Sequence, residues 1–567
     1  MDQSLELPLG KRTLKYRLFE MLPGLMSFSV IGTLFVLSWF SAALASLYLL
    51  IILLAALARA VLIAFHTIRG YHHLTGAQKV DWHGRLATLE NAPDSLEVET
   101  RRTHTQFGHA THLRNLRTIA ANPTAYPKPS QLKHAVIIAA YNESIEVIEP
   151  TIKALLATTI DNKQLIVVFA YEERGGEAMK KTVTTLKRRY GAQFGMFFAV
   201  QHPKDLPDEV VGKGGNITYA GEFLARELQK KSIATDDVIV TTLDCDNKPH
   251  TAYFDYVSYE YIVHTNRQRL SYQPISLFLN NIWDVPAPMR VIATGNSFWN
   301  IISAMRPDKL RNFASHSQPL TALVAMNFWS KRSIVEDGHQ YWRSYFHFNG
   351  EYDVTPIYVP IYQDAVLSDT YKKTLFAQFK QLRRWAYGAS DVPYVAVRVF
   401  TRKSKRKVPL FDSIVKFYEL LDGHVTLASV SIMIALGGWV PLLLSPESAR
   451  SVSAHQLPVV VSSLQQIALL GLCLSIFFAF KMLPPRPARY KRHRTFLMLA
   501  QWLLMPITAI VYGAMSALNA QTHLLFGRYL DKFDVTEKAT VSDIKRVQGH
   551  RRHWWQWWRA SRDVGSK

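Results

Sequence analysis

The apolar residues of this chain fall into two kinds of segment. The first kind is long. From Met21 to Ala58 no residue is charged, and the apolar run continues past Arg59 to about Thr67. A single helix of that length would be roughly 70 Å long, more than twice the hydrocarbon thickness of a bilayer. Two spans joined near Ser41–Ser46 fit better. The stretch SAALAS offers a leader-cleavage pattern, but the apolar run before it is long and a second full span follows it. Three more runs, at about 424–444, 457–480 and 495–519, are near or above 20 residues and almost free of charge. They predict three further spans.

The second kind of segment is short and alternates in period. KHAVIIAAYNE, from Lys133, reads as a buried strand ending in polar residues. SIEVIEPTIKALLAT follows at helical spacing, with Ser144 as its cap and Pro150 as a kink or early break. KQLIVVFAYEE predicts a second strand and EAMKKTVTTLKRRYG a helix closed by Gly191. FGMFFAV is a third strand, NITYAGEFLARELQKK a further helix opened by Asn216, and DVIVTTLDCD a fourth strand. This alternation predicts a parallel sheet covered on both faces, with a ligand site beyond the carboxyl ends of its strands. Asn142–Glu143, Glu172–Glu173 and Asp244–Asp246 fall at those ends. Residues 71–130 are polar, with six scattered histidines (His72, His73, His83, His104, His109, His112), and read as a helical lead-in and linker rather than a metal cluster.

Charge orients the spans. Lys11, Arg12, Lys15 and Arg17 precede the first and place the N-terminal side in the cytoplasm. The loop Lys481–Arg494, with six basic residues, belongs inside as well, and the weakly charged loop 445–456 outside. The tail conflicts: five crossings would put it outside, yet it carries Lys545, Arg546, Arg551, Arg552 and Arg559. Either the segment around Pro506 is re-entrant or broken, or a further crossing lies near 409–423. HWWQWWRAS is expected to lie flat at the interface. Net charge over the 567 residues is +22, which cytoplasmic surfaces facing anionic lipid explain. No zinc-finger, RNA-recognition or basic-zipper pattern points to nucleic acid. Cys245 and Cys473 are the two cysteines, too few for a disulfide framework or a cysteine zinc site.

The candidate chemistry lies in the second kind of segment. Asp244 and Asp246, at i and i+2 on a strand end, face one side and can share a ligand. Adjacent carboxylates repel unless a cation is near, and hard oxygens suit Mg²⁺ or Mn²⁺ bound through one or two carboxylates plus substrate phosphates. VVGKGGNITYA sets Lys213 among glycines at a helix start, where anions are favoured, although the Walker pattern is absent. SIVEDGHQYW places Glu336 and Asp337 where an acid can act as a general base or simply open a helix. In FAQFKQLRRWAYG, Gln381, Arg384 and Trp385 share a helix face, able to grip phosphate and stack on a sugar ring.

The ordered set, Y-N-E after the first strand, Lys in a glycine loop, D-x-D, E-D, Q-x-x-R-W and then several spans, resembles the membrane-embedded family 2 glycosyltransferases of the cellulose synthase and hyaluronan synthase kind. The motifs cover about 130–390. The resemblance implies an α/β GT-A (Rossmann-like) cytoplasmic domain embedded between transmembrane α-helices. It implies a nucleotide-sugar donor, UDP-linked in most of the family, and inversion at the anomeric carbon. Residue by residue, Asp244 and Asp246 match the acids that contact nucleotide and metal, and Lys213 the lysine near the diphosphate. Asp337 matches the catalytic base, with Glu336 beside it. Gln381, Arg384 and Trp385 match the residues at the acceptor and diphosphate. Tyr141, Asn142 and Glu143 sit where the nucleotide pocket begins. The family's aspartate-rich turn after the second strand is replaced by AYEERGG, so Glu172 or Glu173 is expected to meet the base instead. TGNSFWN, Thr294 to Asn300, lies where such enzymes place an acceptor-side loop.

The expected organisation is 1–69 with two spans, 70–130 a cytoplasmic linker, 131–390 the GT-A domain, 391–423 interface helices, 424–520 about three spans, and 521–567 a basic, Trp-rich tail. The expected activity is sugar transfer onto a growing polysaccharide, processive and coupled to export across the plasma membrane. The alternatives are single addition to a lipid-linked acceptor or a non-catalytic scaffold. Mg²⁺ or Mn²⁺, a nucleotide-sugar donor, a glycan or lipid-linked acceptor and membrane lipid are the implied partners; nucleic acid is not, and a partner export protein is left open.

Overall fold

The computed structural model describes residues 6–101, 106–401, 406–444 and 452–530. The basic Trp-rich tail lies outside the described residues. The centre is one eight-stranded sheet. Its strands are β1 (Lys133–Ala140), β2 (Leu165–Glu172), β3 (Met196–His202), β4 (Val238–Asp244), β5 (Lys248–Pro249), β6 (Leu270–Leu277), β7 (Ser317–Pro319) and β8 (Asp353–Tyr362), in the order 3-2-1-4-7-6-8-5. The four strands read from the apolar runs form its parallel half. All eight residues of β2 are buried, as in a strand covered on both faces. The expectation of a parallel sheet holds for this half and for the β6–β8 pair, but not throughout. Beyond β4 the short β7 pairs antiparallel with both β4 and β6, and β5 pairs antiparallel with β8.

Several local expectations change. Ser144 is the N-cap of helix Ile145–Leu156 without a side-chain cap bond, and Pro150 lies within that helix without ending it. Gly191 is the C-cap of helix Gly176–Tyr190 as expected, but in right-handed backbone (φ −56°), and it opens a short 3₁₀ turn. The next helix starts at Lys213, not Asn216. Residues 294–300 are helical, inside Ala287–Ala304, because Ser297 turns inward and accepts the Phe278 amide at 3.0 Å. The expected linker is packed into the core. Trp82 stacks on Tyr256 at 3.5 Å, and Leu86, Leu116 and Ile119 join the same apolar cluster.

Among the described residues four helical segments are long and apolar enough to cross a membrane: Leu14–Phe40, Ala42–Ala77, Leu410–Leu444 and His493–Leu525. A further helix, Val452–Met482, runs parallel to Ala42–Ala77, with Gly471 beside Ala64 and Lys481 over Tyr71. Residues 409–423 are no separate crossing, since Leu410–Leu436 is one helix, and Asp422 on it pairs with Arg59 at 3.0 Å.

The segment 493–525 is broken near Pro506 into α, 3₁₀ and π turns. Both its ends touch the domain side. Arg494 donates to the Trp283 carbonyl at 2.9 Å and Gln501 accepts from Arg290 at 2.5 Å. At the far end Arg17, below the first span, donates to the Leu524 carbonyl at 2.5 Å, and the Leu530 amide meets the Tyr387 hydroxyl at 3.4 Å. Its outward side chains, Phe496, Leu499, Leu503, Ile507 and Met515, recur every three to eight residues and are exposed. Contacts of both ends with the domain are those expected of a re-entrant segment, whereas its length and apolar composition are those of a crossing.

The re-entrant arrangement is checked by labelling. In a Cys473→Ser background, Leu9→Cys and Phe526→Cys should react with a membrane-impermeant maleimide from one face of sealed vesicles and Phe40→Cys from the other. Labelling of position 526 from the face that labels position 40 would mean that the last segment crosses.

Candidate functional site

The site is built around Lys213. It is the first residue of helix Lys213–Lys230, and Gly212 is the N-cap. Gly214 brings that helix start against the loop before Glu336, where a Cβ would run into the Ser330 carbonyl. The Lys213 ammonium lies 3.0 Å from Asp244 Oδ1, 3.2 Å from Asp337 Oδ2 and 3.8 Å from Glu336 Oε1. Burial alone would lower its pKa. The charges of Asp244 and Asp337 outweigh burial and hold it well above the usual lysine value.

Glu336 and Asp337 form the first turn of helix Glu336–His347. Burial of Glu336, reinforced by the charge of Asp337, pushes its pKa up to about 8 against the opposing pull of Lys213 and Arg384. Glu336 is therefore a neutral acid at neutral pH and Lys213 a cation. Glu336 Oε2 and Asp337 Oδ1 are buried and accept no hydrogen bond. His316, which the sequence did not single out, sits with Nδ1 3.9 Å from Asp337 Oδ1. Its Nδ1–H donates to the Phe313 carbonyl at 2.9 Å and Trp329 approaches its Nε2 at 3.5 Å. Burial lowers its pKa, so it faces Asp337 as a neutral ring.

The two aspartates do not face one partner. β4 ends at Asp244, so the alternation that would align i and i+2 stops there. Asp244 turns to Lys213, whereas Asp246 is buried and its Oδ2 accepts the Asp364 amide at 3.1 Å. Asn247 joins them. With its amide oriented to satisfy its neighbours, it donates to Asp246 Oδ1 at 3.1 Å and accepts from the Asp244 amide at 3.3 Å and from the Ser315 hydroxyl. Ser315 is held at φ 71°, in the left-handed region. Asn280 adds a bond to the Asp246 carbonyl at 3.1 Å.

At the ends of β1 and β2, the Tyr141 amide donates to Glu143 Oε2 at 2.8 Å, which closes the Y-N-E turn, and Asn142 stays exposed. Gly175 packs so closely that a Cβ there would meet the Tyr141 carbonyl. Glu172 is buried, paired with Arg174 at 2.8 Å and His202 at 3.2 Å. Glu173 accepts the Lys204 amide at 3.0 Å. His202 also meets Glu209 at 3.0 Å, and Lys331 pairs with Glu209 at 3.3 Å. Burial would lower the His202 pKa, but its hydrogen bonds to Glu172 and Glu209 outweigh it and raise the value to about 9.

Helix Tyr371–Ala386 carries the remaining residues. Gln381 accepts from Gln378 at 3.0 Å, and Arg384 is near enough to oppose the raised pKa of Glu336. Trp385 is exposed, its ring tilted 45° and 5.9 Å from Phe278. The site thus gathers Lys213, Asp244, Glu336, Asp337 and Arg384, with Asp246 tied to Asp244 through Asn247. Tyr141–Glu143 and Glu172 stand at neighbouring strand ends.

The donor set fits a divalent ion of the hard-oxygen kind. Among the described residues no three His, Cys, Asp or Glu side chains form a closed cage. Buried carboxylate oxygens without hydrogen bonds lie beside Asp244. That suits an ion held by one or two carboxylates and completed by ligand phosphates.

Fold and site together define an α/β domain with a mixed sheet, set between apolar helices, with a buried lysine–carboxylate cluster at the strand ends. Among the solved structures it resembles is a mannosyltransferase from Pyrobaculum calidifontis in complex with GDP-Man and Mn²⁺. That structure is 13% identical, spans 82% of this chain and 100% of its own, and superposes with a TM-score of 0.37. The TarS fragment 1–349 of S. aureus in complex with UDP-GlcNAc is 11% identical over 70% of this chain and 93% of that one, TM-score 0.33. GalNAc-T7 with UDP, GalNAc and Mn²⁺ is 8% identical over 52% and 58%, TM-score 0.31. No family model and no curated protein matches the chain. Likeness this distant carries no argument about chemistry, which rests on the residues themselves.

The His202 proton gives a pH signature. Because its folded pKa is raised, its contribution to stability is complete below the ordinary value of 6.5 and is lost as pH rises through about 9. The thermal midpoint of the purified protein should fall across that window, and His202→Gln should flatten the fall. Superimposable pH profiles for variant and wild type would contradict the ion-paired imidazolium.

Proposed function

We propose that the protein is an inverting glycosyltransferase that moves a sugar from a nucleotide-diphosphate donor to a hydroxyl acceptor. The observation that carries this reading is the state of Asp337. One of its oxygens is held on Lys213 at 3.2 Å, and the other is buried and accepts no hydrogen bond. It is an oriented carboxylate with a vacant acceptor position, next to a cation suited to a diphosphate.

In this mechanism Asp337 takes the proton from the acceptor hydroxyl. The hydroxyl oxygen forms a bond to the sugar C1 as the bond from C1 to the diphosphate oxygen breaks on the opposite face. The nucleoside diphosphate leaves with the electron pair, and Lys213 and Arg384 stabilise the charge that builds there. Asp244 and Asp246 would hold Mg²⁺ or Mn²⁺, which when bound supplies further positive charge at the diphosphate. Neutral Glu336 keeps a second negative charge away from the leaving group. Tyr141, Asn142, Glu143 and Glu172 border the nucleotide, with the base most often uracil in enzymes of this kind. Gln381 and Trp385 border the acceptor, the indole as a stacking face for a sugar.

Two acceptors compete. Processive elongation with export needs a polar passage through the membrane. The described crossing helices instead meet in an apolar core of Leu34, Ala45, Leu49, Leu53, Met433, Val440 and Val461. That packing favours single addition to a lipid-linked acceptor, presented at the membrane face beside Trp385. The catalytic domain is placed in the cytoplasm by the basic residues of its flanks, and the plasma membrane is the proposed location.

The test is Asp337→Asn in membranes supplied with a panel of nucleotide sugars. Transfer should drop about a hundredfold or more, as expected for loss of a general base. Near-normal transfer would remove Asp337 from that role. In the wild type, one sugar on an extractable lipid supports the lipid-acceptor reading, and a polymer supports processive elongation.

A further inference from the structure

The residues just before the first span reach the site from far away in sequence. Glu6 Oε2 accepts the Ser330 hydroxyl at 2.7 Å, and its other oxygen meets Arg343 Nη2 at 3.1 Å. Leu7 is buried in the aromatic cluster of Tyr341, Trp342 and Tyr345, and its carbonyl accepts Arg332 Nη1 at 3.3 Å. Arg343 is the eighth residue of helix Glu336–His347, and only 1% of its side chain is exposed. Its Nη2 also donates to the Met326 carbonyl at 2.9 Å, while Nε and Nη1 are buried without hydrogen bonds. A guanidinium this deep needs a counter-charge, and the carboxylate it reaches among the described residues is Glu6.

The loop under this contact carries the catalytic geometry. The Ser330 hydroxyl that bonds Glu6 also accepts the Arg332 amide at 3.2 Å. The Ser330 carbonyl abuts Gly214, next to Lys213. Six residues on, the same loop becomes the helix that begins with Glu336 and Asp337. Lys331 and Arg332 tie it further to Glu209 and Asp208.

We propose that residues 6–7 form a strap, and that Glu6 is a positioning residue for Asp337. It acts through Ser330 and Arg343 to set the start of helix 336–347 against Lys213. The proposal rests on the reading of Asp337 as the base. A strap beginning below the first span would also link the position of that span to the catalytic turn.

The experiment uses the full chain in detergent or membranes and compares Glu6→Gln, Glu6→Asp and Arg343→Gln with wild type. Two things are read: sugar transfer under saturating donor, and hydrogen exchange of the backbone from 330 to 343. Glu6→Gln should lower kcat about tenfold with the donor KM unchanged, since it removes alignment rather than donor contacts. Exchange over 330–343 should quicken in the same variant, and Glu6→Asp should restore part of both. The double variant Glu6→Gln/Arg343→Gln should be no slower than the worse single one, as for residues that act as a unit. Wild-type kcat together with unchanged exchange in Glu6→Gln would overturn the strap. So would a change in donor KM at unchanged kcat, or multiplicative losses in the double variant. The exchange result stands apart from the chemistry: faster exchange in Glu6→Gln alongside normal transfer by Asp337→Asn would sink the base assignment and leave the strap. If Glu6→Gln fails to fold, Ser330→Ala removes the other partner of Glu6 and must show the same quickened exchange; unchanged exchange there would overturn the proposal.

Discussion

One buried ammonium among three carboxylates organises this molecule. Lys213 lies within 3.8 Å of Asp244, Glu336 and Asp337, groups that come from β4 and from a helix about a hundred residues later. Bare carboxylates this close would repel, and each would resist burial. The lysine lets Asp244 and Asp337 stay near one another, and burial keeps Glu336 protonated. Removing one partner from such a buried cluster costs about 3–5 kcal/mol in typical cases.

The rest of the fold keeps these groups in register. Gly214 allows the helix bearing Lys213 to touch the loop that leads to Asp337. Asn247 holds the turn after β4 so that Asp246 stays beside Asp244. Gly70 in the second crossing helix packs against Ile301 so tightly that a side chain there would collide with it. The membrane helices and the domain are thereby one packed unit, and the broken segment 493–525 covers the helix of Gln381, Arg384 and Trp385 from the membrane side.

Much of this was legible from residue pattern. The strands β1 to β4 announce themselves as continuous apolar runs, because a parallel sheet buries both faces. Lys213, Asp244, Glu336 and Asp337 stood out as charged residues at strand and helix ends, and the structure brings them together. The second half of the sheet was hidden. β6 reads Leu-Ser-Tyr-Gln-Pro-Ile-Ser-Leu yet is buried throughout, and its polar groups are satisfied by side-chain bonds such as Ser271 to Asn312 and Gln273 to the Phe313 amide. β8 contains two prolines, and β7 has three residues. Asn247, Ser315 and His316 lacked a motif, since their roles depend on contacts distant in sequence. The last apolar run reads as a crossing by length and composition, and the contacts its two ends make with the domain are of a kind hydropathy does not record.

The central claim is that the Lys213 cluster seats a diphosphate together with a divalent ion. Calorimetric titration of UDP and of GDP into the wild type and Lys213→Met, each with and without Mn²⁺, tests it most directly. For at least one nucleotide the wild type should bind more tightly with Mn²⁺ than without, and Lys213→Met, still folding cooperatively, should weaken binding about tenfold or more, as for loss of a charge-assisted contact. Equal affinity in wild type and variant, or no binding of either nucleotide under any of these conditions, would contradict the account.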